Sequence, residues 1–213
     1  MKAKFSLKSI FILLLWLFHV SGIIGISLGY LDWFSEKTSL NLLIISLALI
    51  FCFDLFSFKK SIIFVIIASL GFLVEVLGVN YGWFFGNYTY LENLGIKLFG
   101  VPILIGINWA ILSFVSAQIS QILKVHWVLK VIVGAILMLI LDILMEFNAP
   151  RFGFWEFQNN EVPFSNYLAW FSFALLFNAI IQLSKLSGNL TISWHIYSVQ
   201  FLFFIYFYVF YQI

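Results

Sequence analysis

Charge is what this 213-residue sequence has least of: Asp, Glu, Lys and Arg together make 9% of it, where a soluble domain carries about a quarter. With 63% apolar residues and a mean hydropathy of +1.08, that shortage excludes a water-soluble globule. The chain reads as an integral membrane protein. Cysteine occurs once, as Cys52 within an apolar run, which excludes an internal disulfide. The net charge of +2 comes with no basic stripe, so nucleic acid is not an expected partner. No glycine loop suited to phosphate, no nucleophile elbow and no CxxC pair is present, and no cofactor is expected. The three histidines, His19, His126 and His195, fall at a mid-span, an inner connection and an inner end. That scatter argues against a metal site.

Aromatics and long apolar runs fill the space that charge leaves. The 27 Phe, 9 Tyr and 8 Trp make 21% of the chain, more than anchoring at the lipid interface needs. Either rings pack the bundle or they enclose an apolar, polyene-like ligand. Counting apolar runs of about 20 residues, the length that spans hydrocarbon, gives seven. They are Ser9–Leu28, Ser39–Phe56, Ser61–Val79, Leu98–Leu123, Trp127–Phe147, Phe164–Leu183 and Ile192–Tyr211. The expected fold is all-α: a polytopic helical bundle forming a single transmembrane domain over residues 1–213.

The basic residues orient it. Lys2, Lys4, Lys8, Lys59, Lys60, Lys124, Lys130 and Lys185 fall on one side, and only Lys37, Lys97 and Arg151 on the other. By the positive-inside rule the N-terminus is cytoplasmic and, with seven spans, the C-terminus external. A bacterial or archaeal cytoplasmic membrane is the expected location. Asp54 lies in the cytoplasmic half, within reach of Lys59 or Lys60. The other acids gather toward the outer face, as do two unusual loops, Asn80–Lys97 and Asn148–Pro163, rich in Gly and rings. Gly82, Gly86, Gly95, Gly100, Pro102 and Pro163 read as the residues that shape them. Trp83, Trp155 and Trp170 flank the outer interface, where the ordinary reading of Trp is an aromatic belt.

Three acids carry the candidate chemistry. Asp142 and Glu146, four residues apart, share one helix face about 6 Å from each other. Glu75 lies roughly 6 Å below the interface in another span, at similar depth. Ionisable groups inside a span are costly and face a cavity or a partner. Desolvation and mutual repulsion favour keeping a proton on at least one of them, which makes a general acid. The plain structural alternative is neutralisation by Arg151 or Lys97, with Tyr hydroxyls satisfying the remainder. A magnesium–diphosphate site of the prenyltransferase kind would need a second acidic pair and basic residues for the diphosphate; Met138 stands where an upstream Asn would help, and no second pair appears.

Two stretches resemble a known family. Residues Gly82 to Tyr90 (GWFFGNYTY), followed by Leu94 to Pro102 (LGIKLFGVP), are similar to a signature of the membrane carotenoid biosynthesis proteins. The second stretch is Asp142, then Gly153 to Trp155 (GFW), then Val162 to Trp170 (VPFSNYLAW). Phe84 and Ala169 depart from the family's usual Pro and Gly. Characterised members are hydratases of ψ-end carotenoids, acting on γ-carotene or bacterioruberin precursors. The resemblance implies acid-catalysed hydration of a terminal double bond to a tertiary alcohol by a hydro-lyase. The substrate would be a membrane-dissolved carotenoid, and other enzymes of the pathway would be possible partners. Under that reading Glu75 or Asp142 gives the proton, Glu146 orients water, and Tyr88, Tyr90, Trp155, Asn166 and Trp170 line the pocket. A non-catalytic carotenoid- or lipid-binding protein and a proton-coupled transporter using His19 are the alternatives.

Overall fold

A computed structural model describes residues 6–212; Lys2 and Lys4 of the orientation argument lie outside this range. Eight helices follow in order: α1 Leu7–Ser27, α2 Leu31–Ser35, α3 Thr38–Cys52, α4 Phe58–Tyr81, α5 Ile103–Ser120, α6 Trp127–Asn148, α7 Phe164–Leu183 and α8 Leu190–Phe210. Counting α2 and α3 as one broken span, seven are long and apolar enough to cross a membrane. The chain is a multi-pass membrane protein, as its composition requires.

Two small antiparallel sheets were not foreseen. Strand β1 (Tyr88–Tyr90) pairs with β4 (Trp155–Phe157), and β2 (Lys97–Leu98) with β3 (Val101–Pro102). The second sheet corrects the fourth span, which begins at Ile103 rather than Leu98. Phe99 and Gly100 both take positive φ, +53° and +82°, so the chain turns back on itself there. Pro102 then supplies the extended N-cap of α5, a position where its missing N–H costs nothing.

Helix α5 is the axle of the bundle. Most of its residues are buried, and α3, α4, α6, α7 and α8 all pack around it. Small residues let the backbones approach, the usual device where lipid supplies no hydrophobic drive between helices. A Cβ at Gly106 would lie 2.5 Å from the carbonyl oxygen of Ala68 in α4, and one at Gly71 would lie 2.6 Å from Cβ of Trp109 in α5. The serines of α5 turn their hydroxyls back onto its own carbonyls, Ser113 Oγ reaching Trp109 O at 2.7 Å. Its polar side chains therefore leave little unsatisfied in the interior.

The end opposite the loops corrects one expectation. Neither Lys59 nor Lys60 pairs with Asp54. Lys59 Nζ donates to Ser184 O at 2.6 Å and Lys60 Nζ to Phe53 O at 2.7 Å. Phe53 and Ser184 cap the C-termini of α3 and α7, where unpaired carbonyls and the helix dipole both attract a cation.

At the loop end, β1 and β4 stitch the two loops into a lid. Leu91 N and Asn93 N extend the pairing to Phe154 O and Gly153 O at 2.8 and 3.1 Å, and Gln158 N reaches Asn87 O at 2.9 Å. Gly86, at φ +94°, seats against the ring of Pro163, where a Cβ would come within 2.7 Å of Cγ. The lid is thereby fixed to the start of α7. Replacing Gly106 with Val is expected to force α4 away from α5 and to lower stability by about 1–3 kcal/mol, the usual cost of overpacking. Thermal unfolding in detergent measures it, and an unchanged midpoint would contradict the close crossing.

Candidate functional site

The lid works by alternation. In β1 and β4 the pattern of burial is inward, outward, inward, the period of any strand. Tyr88, Tyr90, Trp155 and Phe157 therefore turn their rings down into the bundle, while Thr89 and Glu156 face out. The outward default for Trp155 and Trp170 is thus overturned: both are buried, and only Trp83 of the three is exposed.

Beneath the lid, Glu75 is almost wholly buried and has no cation beside it. Its Oε2 accepts from the Tyr88 hydroxyl in a short hydrogen bond and from the Tyr90 hydroxyl at 2.8 Å. Its Oε1 accepts from Trp109 Nε1 at 2.8 Å. The two phenols are themselves held protonated: burial first, and then the neighbouring Glu75 carboxylate, raise both above the usual range. Glu146 is held by two donors, Trp155 Nε1 at 2.7 Å to Oε2 and Asn166 Nδ2 at 2.9 Å to Oε1. Asp142 differs. It is fully buried, and neither of its carboxylate oxygens has a hydrogen-bond partner in the protein.

Neutralisation by a nearby cation does not occur. Arg151 donates to Phe147 O at 3.2 Å and lies over the rings of Phe147 and Tyr211. Lys97 donates to Tyr90 O and pairs with Glu92, both at 2.9 Å. Among the described residues no salt bridge reaches the three buried acids. Tyrosine hydroxyls do satisfy Glu75, as the alternative reading required of them.

Glu75, Tyr88, Tyr90, Glu146, Trp155, Asn166 and Trp170 come together around a cavity of about 20 Å³, the room of about one water molecule. Asp142 does not border it. Trp170 stacks on Trp109 with ring centres 3.8 Å apart. Trp109 and its neighbour Asn108 were missed in the sequence. The signal was an amide and an indole about 9 Å inside a span, too deep for the interfacial role that Trp usually has.

Two larger spaces adjoin this one. On one side is an apolar chamber of about 540 Å³ between α1, α3, α5, α6 and α8. It shares Ile105, Asn108, Met145 and Trp155 with the acid cavity. Leu17 and Leu40 line it and are also exposed, so it opens toward lipid between α1 and α3. On the loop side is a vestibule of about 350 Å³ lined by Arg151, Asn160 and Tyr167, which shares Glu146, Trp155 and Phe157 with the acid cavity. Trp155 borders all three spaces. The histidines take no part in the acid cavity. His195 accepts from Trp16, His126 caps α6, and His19 lines the apolar chamber. No group of metal-ligating residues forms among those described.

A lipid-facing apolar chamber leading to buried acids suits a hydrophobic substrate, and comparison with known families agrees. The family model described as carotenoid biosynthesis protein matches residues 37–213. The chain belongs to the carotenoid biosynthesis protein family. No curated protein and no solved structure matches it. In this membrane protein of the carotenoid pathway, all three acids and both loops fall inside the matched residues. Helix α1, one wall of the chamber, falls outside them.

Hydrogen-bond accounting gives opposite expectations for two isosteric-scale changes. Glu75→Leu strands three buried donors and is expected to cost at least about 3 kcal/mol, at roughly 1–3 per orphaned group. Asp142→Val strands none and is expected to change stability by no more than about 1 kcal/mol. Chemical or thermal unfolding in one detergent compares them, and equal losses would contradict the geometry. Tyrosinate absorbance offers a second check: Tyr88→Phe and Tyr90→Phe are expected to leave the alkaline titration of the folded protein unchanged, since neither phenol ionises before unfolding.

Proposed function

We propose that this protein hydrates the terminal double bond of a membrane-dissolved ψ-end carotenoid to a tertiary alcohol, acting as a hydro-lyase. The observation that carries the reading is the order of the three spaces. An apolar chamber reaches lipid, a cavity bounded by carboxylates comes next, and a vestibule carrying Arg151, Asn160 and Tyr167 follows. Water from the vestibule fits the cavity as it stands, and an alkene end in the chamber reaches the same acids once Ile105, Asn108, Met145 and Trp155 part.

In this scheme Glu75, which borders the cavity, gives its proton to the CH carbon of the terminal alkene. The π electrons form the new C–H bond and leave a tertiary cation on the carbon bearing two methyl groups. The ring faces of Trp155, Tyr90 and the stacked Trp109–Trp170 pair stabilise that cation. Water from the vestibule forms the C–O bond, and Glu146 takes the proton that water loses. Asp142, one turn behind Glu146 and without a partner of its own, serves as the proton store through which Glu75 is recharged. Atoms balance as alkene plus water giving alcohol. The dry interior strengthens each electrostatic step.

The excess of lysines at the opposite end supports a cytoplasmic N-terminus, with the lid and vestibule facing outward. Other enzymes of the pathway would be the natural neighbours. One further reading has an observation in its favour: the chamber is far larger than the acid cavity, as a carotenoid carrier without catalysis would need.

Membranes expressing the protein with a ψ-end carotenoid are expected to accumulate a pigment one water heavier, by mass spectrometry of the extract. Glu75→Gln and Asp142→Asn are expected to abolish the product while carotenoid stays bound to the purified protein. An unchanged pigment profile with folded wild-type protein sinks the hydratase reading. Binding without turnover then leaves the carrier.

A further inference from the structure

The apolar chamber holds polar atoms that the protein itself does not satisfy. Ser35 Oγ, Asn41 Oδ1 and Gln200 Nε2 are all buried and all without a hydrogen-bond partner. They come from three helices, α2, α3 and α8, and all three residues line the same chamber. Ser35 and Gln200 are 4% and 5% exposed. Buried polar groups are nearly always partnered, and leaving one bare costs its full desolvation. Three around one cavity mark a place built for something polar.

The orientation of Asn41 follows from its neighbours. His19 Nδ1 lies 2.7 Å from Leu15 O, an acceptor only, so that nitrogen carries the hydrogen. His19 Nε2 is then an acceptor, and Asn41 donates its Nδ2 to it at 3.4 Å. The carbonyl oxygen of Asn41 is left bare as an acceptor. Gln200 contributes a bare donor. A bare acceptor needs a donor, from water or from a ligand, and among ligands ethers and ketones lack one while a hydroxyl has one. A hydroxyl also accepts, which answers Gln200.

Charge argues against an acidic or phosphorylated ligand. Among the described residues Lys37 is the one cation lining the chamber, and it pairs with Glu36 at 3.3 Å and lies over the Trp33 ring. None of Ser35, Asn41 or Gln200 borders the acid cavity. The hydroxyl they accept is therefore distinct from the carbon where the buried acids act.

We infer that the chamber between α1, α3 and α8 is a binding site for an isoprenoid chain that already carries a free hydroxyl, held between Asn41 Oδ1 and Gln200 Nε2 with Ser35 beside them. This rests on the reading of the chamber as the carotenoid's seat and is independent of hydration. A reaction that installs an alcohol then comes before this protein acts.

Saturated probes separate the two questions, because they cannot be hydrated. Phytane, phytanol and phytanyl methyl ether are bound to the full-length protein in nanodiscs, and occupancy is read by native mass spectrometry. Relative to Gln200→Leu, the wild type is expected to prefer phytanol over phytane about ten-fold, the worth of one to two net hydrogen bonds. The methyl ether, which cannot donate, is expected to bind like phytane. Asn41→Leu is expected to erase the same preference. Should that variant misfold after losing its His19 contact, Gln200→Leu decides alone, since Nε2 has no partner in the protein to lose. Without ligand, Gln200→Leu is expected to match or exceed the wild type in thermal stability. A preference that survives Gln200→Leu, a methyl ether that binds as well as the alcohol, or no binding of any probe overturns the inference. Pigment hydration without a phytanol preference overturns it too and leaves the hydratase reading standing. A phytanol preference without hydration does the reverse.

Discussion

A single buried carboxylate sets the terms for the loop end of this protein. Glu75 needs donors, and in a membrane interior only the protein can give them. Two of its three come from one strand and the third from the central helix, so satisfying one side chain pins the lid to the bundle. Register is part of the same constraint. Slipping β1 by one residue against β4 would turn Thr89 inward and both phenols out, stranding Glu75 and opening the cavity together.

The helix crossing below answers the same demand. Gly71 lets Trp109 lie against α4, and Glu75 follows Gly71 by four residues, on the same face of that helix. The close approach thus delivers the indole N–H to the carboxylate one turn above. The stacked Trp170 ring then fixes the indole plane from α7. Backbone sterics, ring stacking and hydrogen bonding each rely on the other two here.

Much of this was legible in the sequence, and the parts that were not share a cause. Spans follow from apolar length, which acts locally, and five of the seven differ from the structure only at their ends, while the second starts earlier, at Leu31, and is broken at Glu36 and Lys37. The start of α5 was misread because Leu98 to Val101 is apolar enough to extend a helix, while the turn at Phe99 and Gly100 depends on φ. Acids inside spans announce themselves by their cost, so Glu75, Asp142 and Glu146 stood out. Which cation or donor satisfies each is a matter of tertiary placement, and spacing says nothing of it. The lid strands are three residues each, below any periodicity threshold, although ring–polar–ring in Tyr88-Thr89-Tyr90 and again in Trp155-Glu156-Phe157 was a faint sign. Phe84 shows a local departure with a visible reason: its φ of +65° is closed to the proline usual at that position.

One wall of the apolar chamber, helix α1 with His19, lies before the stretch that matches the carotenoid biosynthesis family, while every buried acid lies within it. The chamber is therefore walled by two lengths of chain, one before the matched stretch and one, with Asn41 and Gln200, inside it. Exchanging the first helix alone would reshape one wall of the chamber and leave the three buried acids, and the donors that hold Glu75 and Glu146, untouched.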